Sequence, residues 1–546
     1  MLAGQPVLIL KEGTQRERNP RKNNVAAVRA ISEAVRSTLG PRGMDKMIVD
    51  SLGDIVITND GATILDKIDV EHPAARMVID LAKAQDTQVG DGTTSVAVLT
   101  GELLQQADEL IDSGVHPSIV VKGYTLAARE AVKILDSLAV SFSPSEDPGY
   151  LKKAAITTMN SKGVGGNKEL FADLAVEAIS HLEFKTAEEA TKKIKVVKKR
   201  GAGLSESRIV KGIVLNKEPV HVMMPHLVTD AKVLVLSQAL EIKKTTFDTD
   251  LRVDSADDIV KFMSREEGVF KKFVELIKAS GATVVINEKA IADMAAHFLA
   301  REGILAVKSV SKEDVKLLAK ATGATICSNL EDLTPDMLGE AERVEYLKMA
   351  GDDTLFIEGC KNPEALSILL RGGTEHVLDE AERSIHDALS VVAALTLDCR
   401  VVGGGGAIEL ALSKALSQFA TKVEGKKQLA VERFAQALEI IPKSLVENGG
   451  LDPMEMLVEM RAKHASGDGW WGIDLYQGEI VDTLAANVVE PAVSVKHMVE
   501  GATGLANLIL RIDDMIRAKK TSPPSGAGGG GPGGMGDMGG MGDMDF

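Results

Sequence analysis

Two glycine-rich segments in opposite halves of the chain limit its fold more than any other feature. Thr87-Gln88-Val89-Gly90-Asp91-Gly92-Thr93-Thr94-Ser95 sets two glycines and an aspartate ahead of consecutive hydroxyl residues. Gly403-Gly404-Gly405-Gly406 has nearly the same character far along the chain. Glycine lets a backbone approach a ligand closely and adopt positive φ. Successive amides at a turn entering a helix form an anion site. The apolar run from Val96 to Leu104 reads as a buried helix, so phosphates would sit at its positive end. Asp91 offers the hard oxygen ligand that Mg²⁺ takes beside phosphates. Together the segments predict a phosphate pocket built from both ends of the sequence. Taken alone, the first fits a capped glycine turn equally well. It is not a Walker A loop, since no Gly-Lys-Thr/Ser follows at the required spacing.

The chain has 546 residues, enough for roughly three or four domains. Aromatic residues make up only 3%, so Ala, Val, Ile and Leu must build the core. A formal charge of −16 argues against a nucleic-acid groove. Cys327, Cys360 and Cys399 are too widely spaced for a zinc pattern and odd in number for a disulfide framework, which suits a reducing cytoplasm. The N-terminus carries no long apolar run with a cleavage site. No stretch approaches the ~18 apolar residues of a membrane span.

Residues 22–50 and 72–142 read mainly as helix, with a short strand over 54–58 and a turn at Asn59-Asp60-Gly61. Pro148-Gly149 marks a break, and a lysine-rich helix–loop region runs to about residue 200. Between about 213 and 360, short β-type runs at 231–236, 283–286, 305–307 and 354–357 alternate with helical segments. Helix returns over about 374–400 and 407–518. The order helical, mixed, helical predicts a nested insertion. Residues 521–546 are Pro-, Gly- and Met-rich, a composition that stays disordered.

Further motifs accumulate in a fixed order: Leu39-Gly40-Pro41-Arg42-Gly43, Thr58-Asn59-Asp60-Gly61-Ala62-Thr63, the Gly90–Ser95 loop, Met159-Asn160-Ser161-Lys162, Arg371-Gly372-Gly373-Thr374, His386-Asp387-Ala388-Leu389, Gly404-Gly405-Gly406-Ala407 and Val489-Glu490-Pro491. In this order and spacing the chain closely resembles the group II chaperonins, over residues 1 to about 520. The Gly-Met tail also looks like archaeal members. The resemblance implies a multidomain α/β fold. A mostly helical equatorial ATPase domain would join 1–145 to 402–520. A small intermediate hinge domain would join 146–214 to 364–401. An α/β apical client-binding domain would occupy 215–363, with a helical lid protrusion at about 242–280. It further implies two stacked rings of eight or nine subunits, sister subunits among them in some members, that enclose non-native client proteins without a separate cap.

The resemblance also assigns the chemistry. Phosphoryl transfer to water needs a metal on the phosphates, donors around them and a positioned water. Asp91 would bind Mg²⁺, and Gly61, Gly92, Thr93, Thr94 and Ser95 would hold the phosphates. Leu39, Gly40 and Pro41 resemble a second phosphate-facing loop, while Gly405 and Glu490 match positions that contact the nucleoside. Asp387 matches the family's catalytic aspartate and Asp60 a second acid on the attacking water. Ser161 and Lys162 match the segment that senses the γ-phosphate, and K⁺ is common beside the phosphates in this family. Asp387 and Lys162 fall on the hinge, so closure would gate hydrolysis. Read from the residues alone, Asp387 is a solvated helix position and Lys162 a surface charge.

In the lid segment, Ile259, Val260, Phe262, Met263, Val269, Phe270, Phe273 and Val274 stand among many charges. They read as an amphipathic helix facing its own core or as an exposed edge for clients. Gly403 stands where many relatives of the resembled family have proline, Trp470-Trp471 is unusual, and Lys192–Arg200 is shorter and more basic than in many relatives. An ATP-driven folding machine is the reading these residues favour. A holdase without cycling fits poorly with an intact Asp60, Asp91 and Asp387 set, and a small-molecule kinase with the long lid segment.

Overall fold

Helix Thr93–Asp112 runs through the largest buried core. Its first half is buried on nearly every side, hydroxyl residues included, as in a helix packed all round. Val96, Ala97, Leu99, Leu103, Leu104 and Ala107 are all fully enclosed. Gly101 lets helix Pro20–Arg36 cross closely, and Ser32 Oγ donates to the Ala97 carbonyl at 2.7 Å. Helices Pro73–Val89, Pro117–Leu138, Ala407–Ala420, Lys427–Leu438 and Ala492–Leu510 share this body, with Gly61–Lys67, Ile440–Asn448 and Pro453–Ser466 at its margin. Both ends of the sequence therefore share one core. The computed structural model describes residues 15–16, 20–49, 53, 55–144, 146–242, 256–361, 366–467, 469–514 and 516–517. The glycine-rich tail at 521–546 and the first part of the proposed lid lie outside the described residues.

A second core belongs to a six-stranded sheet. Its order is Leu305–Val307, Val284–Asn287, Leu227–Leu236, Gly339–Met349, Asp352–Cys360 and Gly212–Leu215. The first three strands are parallel, joined through helices Ala256–Ser280 and Asp293–Arg301; the last three add antiparallel. Phe270 and Val274 of the long helix bury into this core while Val269 faces outward. The side chains of Ile259, Val260, Phe262 and Met263 lie outside the described residues.

The third core lies between these bodies. Helices Gly149–Met159, Lys168–Ser180 and Glu375–Asp398 pack beside a three-stranded sheet of Ile194–Arg200, Leu366–Gly372 and Arg208–Val210. A small apolar cluster of Val197, Val210, Val214, Phe356 and Leu369 joins it to the six-stranded sheet.

Three local expectations need correction. Helix does not fill 22–50: it stops at Arg36, and Lys46–Val49 pairs antiparallel with Ile55–Thr58. Gly40 at φ 85°, followed by Pro41, prevents the helix from continuing. The lysine-rich segment before residue 200 is a strand, Ile194–Arg200, because it pairs in parallel with Leu366–Gly372. Nor is 407–518 all helix: the hairpin Trp471–Asp474 with Glu479–Asp482 and the strand Val489–Pro491 interrupt it.

Candidate functional site

The Gly90–Ser95 loop reverses the chain within three residues. Gly90 (φ 73°) ends helix Pro73–Val89, and Gly92 (φ 77°) begins helix Thr93–Asp112 with no side chain capping it. Left-handed conformations at both positions cost glycine little. The first amides of the helix are thereby left for an external acceptor. Helix Ala407–Ala420 starts the same way from Gly406 (φ 81°), again without a side-chain cap. A third helix, Gly61–Lys67, brings its first residue against the same spot. A Cβ on Gly61 would lie 3.0 Å from Thr94 N and 3.1 Å from Thr93 Oγ1.

These elements wall a cavity of about 380 Å³. Leu39, Gly40, Pro41, Asp60, Gly61, Asp91, Gly92, Thr93, Thr94, Ser95, Ser161, Lys162, Asp387, Gly405 and Glu490 all line it. The structure thus brings to one place every residue that the resemblance assigns to nucleotide, metal or catalysis. It also brings Asn59, Thr158, Glu409, Asp474 and Ser494, which were not singled out.

The cavity lies where the first and third cores meet. Asn59 Nδ2 donates to the Ser161 carbonyl, and Thr158 Oγ1 donates to Asp91 Oδ2 at 3.0 Å. Lys162 Nζ stands 3.0 Å from Asp60 Oδ1 and 3.0 Å from Asp387 Oδ2, all three side chains nearly enclosed. Burial opposes charge on Lys162, but Asp387 and Asp60 outweigh it and hold the ammonium above its ordinary range. Burial also pushes Asp60 upward. Lys162 and hydrogen bonds from the Thr63 amide and hydroxyl outweigh that push and bring it down to about 2. At Asp387 burial prevails: Lys162 offsets it only in part, and Asp60 and Asp86 add repulsion, so this carboxyl is raised.

Asp91 tests whether a metal fits. Its carboxylate is half-buried in the cavity wall, and burial raises it against bonds from the Gly92 amide (2.7 Å) and Thr158. No lysine or arginine pairs with it among the described ion pairs. A half-buried carboxylate held only by neutral donors favours a cation beside it, so its surroundings suit Mg²⁺. Asn59 Oδ1 is buried without a partner and is a free oxygen donor.

Glycine-framed helix N-termini, a carboxylate bonded only by neutral donors, and two further carboxylates on a lysine meet at a joint between bodies, a chemistry that suits a polyanion with its cation. The comparisons supply the family. The chain matches the TCP-1/cpn60 chaperonin family over residues 31–520. It is 49% identical over 535 residues to thermosome subunit alpha of Thermoplasma acidophilum, covering 97% of each chain. It is 50% identical over 528 residues to a thermosome subunit of Pyrococcus horikoshii, covering 95% of each. A thermosome subunit of Methanopyrus kandleri is 48% identical over 529 residues, 96% of this chain and 97% of that one. The chain belongs to this chaperonin family, with relatives of the group II type.

Proposed function

We propose that this chain is an ATP-hydrolysing chaperonin subunit whose chemistry completes only when the hinge closes. The observation that carries this reading is the Asp60–Lys162–Asp387 cluster, whose members come from two different bodies. The uncapped amides at Thr93 and Ala407, with the Thr93–Ser95 hydroxyls, receive the phosphates. Leu39, Gly40 and Pro41 close over them, and Gly405 and Glu490 hold the nucleoside. Mg²⁺ on Asp91 supplies charge neutralisation at the phosphates. Asp387 orients the attacking water and accepts its proton, with Asp60 as a second acid on that water. Ser161 carries Lys162, which exchanges its carboxylate partners for the γ-phosphate. Asn59 Oδ1 is a donor suited to K⁺.

On this reading the first core is the equatorial domain (1–145 with 402–520) and the third the intermediate hinge (146–214 with 364–401). The sheet body (215–363) is the apical domain, with the lid at about 242–280. Subunits assemble into two rings of eight or nine, alone or with sister subunits, and enclose non-native proteins without a separate cap. The ribbon Lys46–Val49/Ile55–Thr58 supports assembly: Met47, Val49, Ile55 and Ile57 are exposed, and a lone two-stranded ribbon is marginal unless covered. No helix among the described residues is long and apolar enough to cross a membrane. The three free cysteines favour the cytoplasm.

Asp387→Ala tests the reading. It is expected to bind Mg-ATP with near-normal affinity and to hydrolyse it at least a hundredfold more slowly, on the order of the general-base contribution. Turnover at the wild-type rate removes Asp387 from the mechanism. Negative-stain images with and without ATP should show double rings that close; single particles without rings would overturn the assembly.

A further inference from the structure

Helix Glu375–Asp398 reaches across the joint at a second place, one to two turns before Asp387. Glu380 and Arg383 form an ion pair there: Arg383 Nη2 and Nε donate to Glu380 Oε2 at 2.7 and 3.1 Å. The same oxygen accepts from the Thr58 hydroxyl at 3.4 Å, and Arg383 Nη2 donates to the Ile57 carbonyl at 3.5 Å. Thr58 is 1% exposed, and its hydroxyl also accepts from the Asp60 amide at 3.1 Å. Asp60 then caps helix Gly61–Lys67 at the margin of the first core. From the other side, a Cβ on Gly163 would lie 3.2 Å from Glu380 Cγ, so the chain beside Lys162 packs on this glutamate too. An ion pair three residues apart on a helix surface is usually worth little. This one is half-buried, and Glu380 touches the segments that carry both Asp60 and Lys162.

Positions 380, 383 and 387 share one face of the helix. On the far side of Asp387, Ser390 packs on Gly90. Asp387 is therefore held between two fixings. A helix held at one point can pivot, whereas a second hold about 10 Å along the axis from Asp387, at Glu380, fixes its direction. We propose that Glu380 and Arg383 are positioning residues for hydrolysis: they latch the hinge helix onto the end of strand Ile55–Thr58, which sets Asp387 opposite Asp60. The inference rests on the hydrolytic reading above. Neither residue lines the nucleotide cavity, so the latch acts on the chemical step through Asp387 and leaves nucleotide binding alone.

The test is steady-state Mg-ATP hydrolysis by the full-length protein, comparing Glu380→Ala and Glu380→Gln, each alone and with Asp387→Ala. Glu380→Ala is expected to lower kcat by about ten- to a hundredfold, the loss that a small misplacement of a catalytic group produces. KM should stay unchanged. Glu380→Gln keeps an oxygen for Thr58 and Arg383 and should recover most of the rate. With Asp387 already replaced, Glu380→Ala should lower the rate no further, because the latch has nothing left to position. Wild-type kcat in Glu380→Ala, or an equal further loss in the Asp387→Ala background, overturns the proposal and leaves the hydrolytic reading intact. A rise in KM with kcat unchanged does the same, since it places Glu380 in binding. Wild-type turnover by Asp387→Ala overturns the hydrolytic reading itself, and the latch with it. If Glu380→Ala does not fold, Arg383→Met decides: kcat must fall with KM unchanged, and wild-type kcat rejects the proposal.

Discussion

Gly90 is the point where the loop proposed to hold the phosphates touches the helix that carries Asp387. A side chain there would meet Ser390 on helix Glu375–Asp398: its Cβ would overlap Ser390 Cβ and lie 2.8 Å from Ser390 Oγ. Gly90→Ala therefore carries two penalties. Holding alanine at φ 73° costs about 1–2 kcal/mol. Forcing a methyl into a packed contact costs about 1–3 kcal/mol more. The clash also pushes on the helix face that bears Asp387, since positions three apart are neighbours. We expect Gly90→Ala to lower the thermal midpoint and to slow ATP hydrolysis. Ser390→Gly separates the two penalties. With Cβ and Oγ gone, the nearest remaining atom of residue 390 is its Cα, at 3.5 Å from the new methyl, an ordinary contact. The second change costs about 1 kcal/mol by itself as a helix-interior glycine. In a double-mutant cycle the pair should recover about 1–3 kcal/mol, the steric part alone, and most of the hydrolysis rate. If the two changes add without recovery in either measurement, loop and hinge helix are not in contact as described, and the closure argument loses its structural basis.

Other consequences follow from neighbouring contacts. Lys162→Met leaves Asp60 and Asp387 buried without their cation and should destabilise the joint by about 3–5 kcal/mol, read by chemical denaturation. The same variant tests a pH dependence. Asp60 is depressed in the folded protein to about 2, from an ordinary 3.8, so its stabilising contribution is full above pH 4 and disappears as pH falls through 2. Wild type should show this acid limb in its melting temperature, and Lys162→Met should lack it. At the exposed ribbon, Met47→Lys with Ile57→Lys should leave the helical circular dichroism unchanged while shifting the protein from rings to smaller species in light scattering. Intact rings would show that the ribbon is not an assembly contact.

The legible part of the fold was its order. A helical stretch, a mixed stretch and a second helical stretch imply that two distant segments share one core, and helices Thr93–Asp112 and Ala492–Leu510 do so. The glycine loops were legible because their signal is local: glycine, aspartate and hydroxyls in one turn already state the backbone geometry and the ligand chemistry. What escaped depends on distant partners. Lys195-Val196-Val197-Lys198-Lys199 looks like a solvated loop until Leu366–Gly372 pairs with it and Asp314 and Asp379 take its lysines. Glu409 looks like the acid that favours any helix N-terminus. Only the packing around that helix start encloses it, and burial raises its carboxyl.

Asp387 shows why the division of the site between bodies matters. Its carboxyl is enclosed, repelled by Asp60 and Asp86, and held by one lysine that Asp60 also uses. A group so placed is costly wherever it stands alone. Opening the joint separates Asp387 and Lys162, both on the hinge side, from Asp60 and Asp91 on the other. Each half then has more water and less repulsion. Closing brings the carboxylates together around one cation, an arrangement that a polyphosphate with its metal can stabilise and bulk water cannot. On the proposed reading, the Mg²⁺ that accompanies the nucleotide, and not the polyphosphate itself, would supply the counter-charge that makes the closed joint favourable, and its departure with the products would remove it. On this argument the carboxylates that position the water are also the springs that reopen the hinge. Lys162→Met, by deleting the shared cation, should shift the empty protein toward the open form as well as destabilise it.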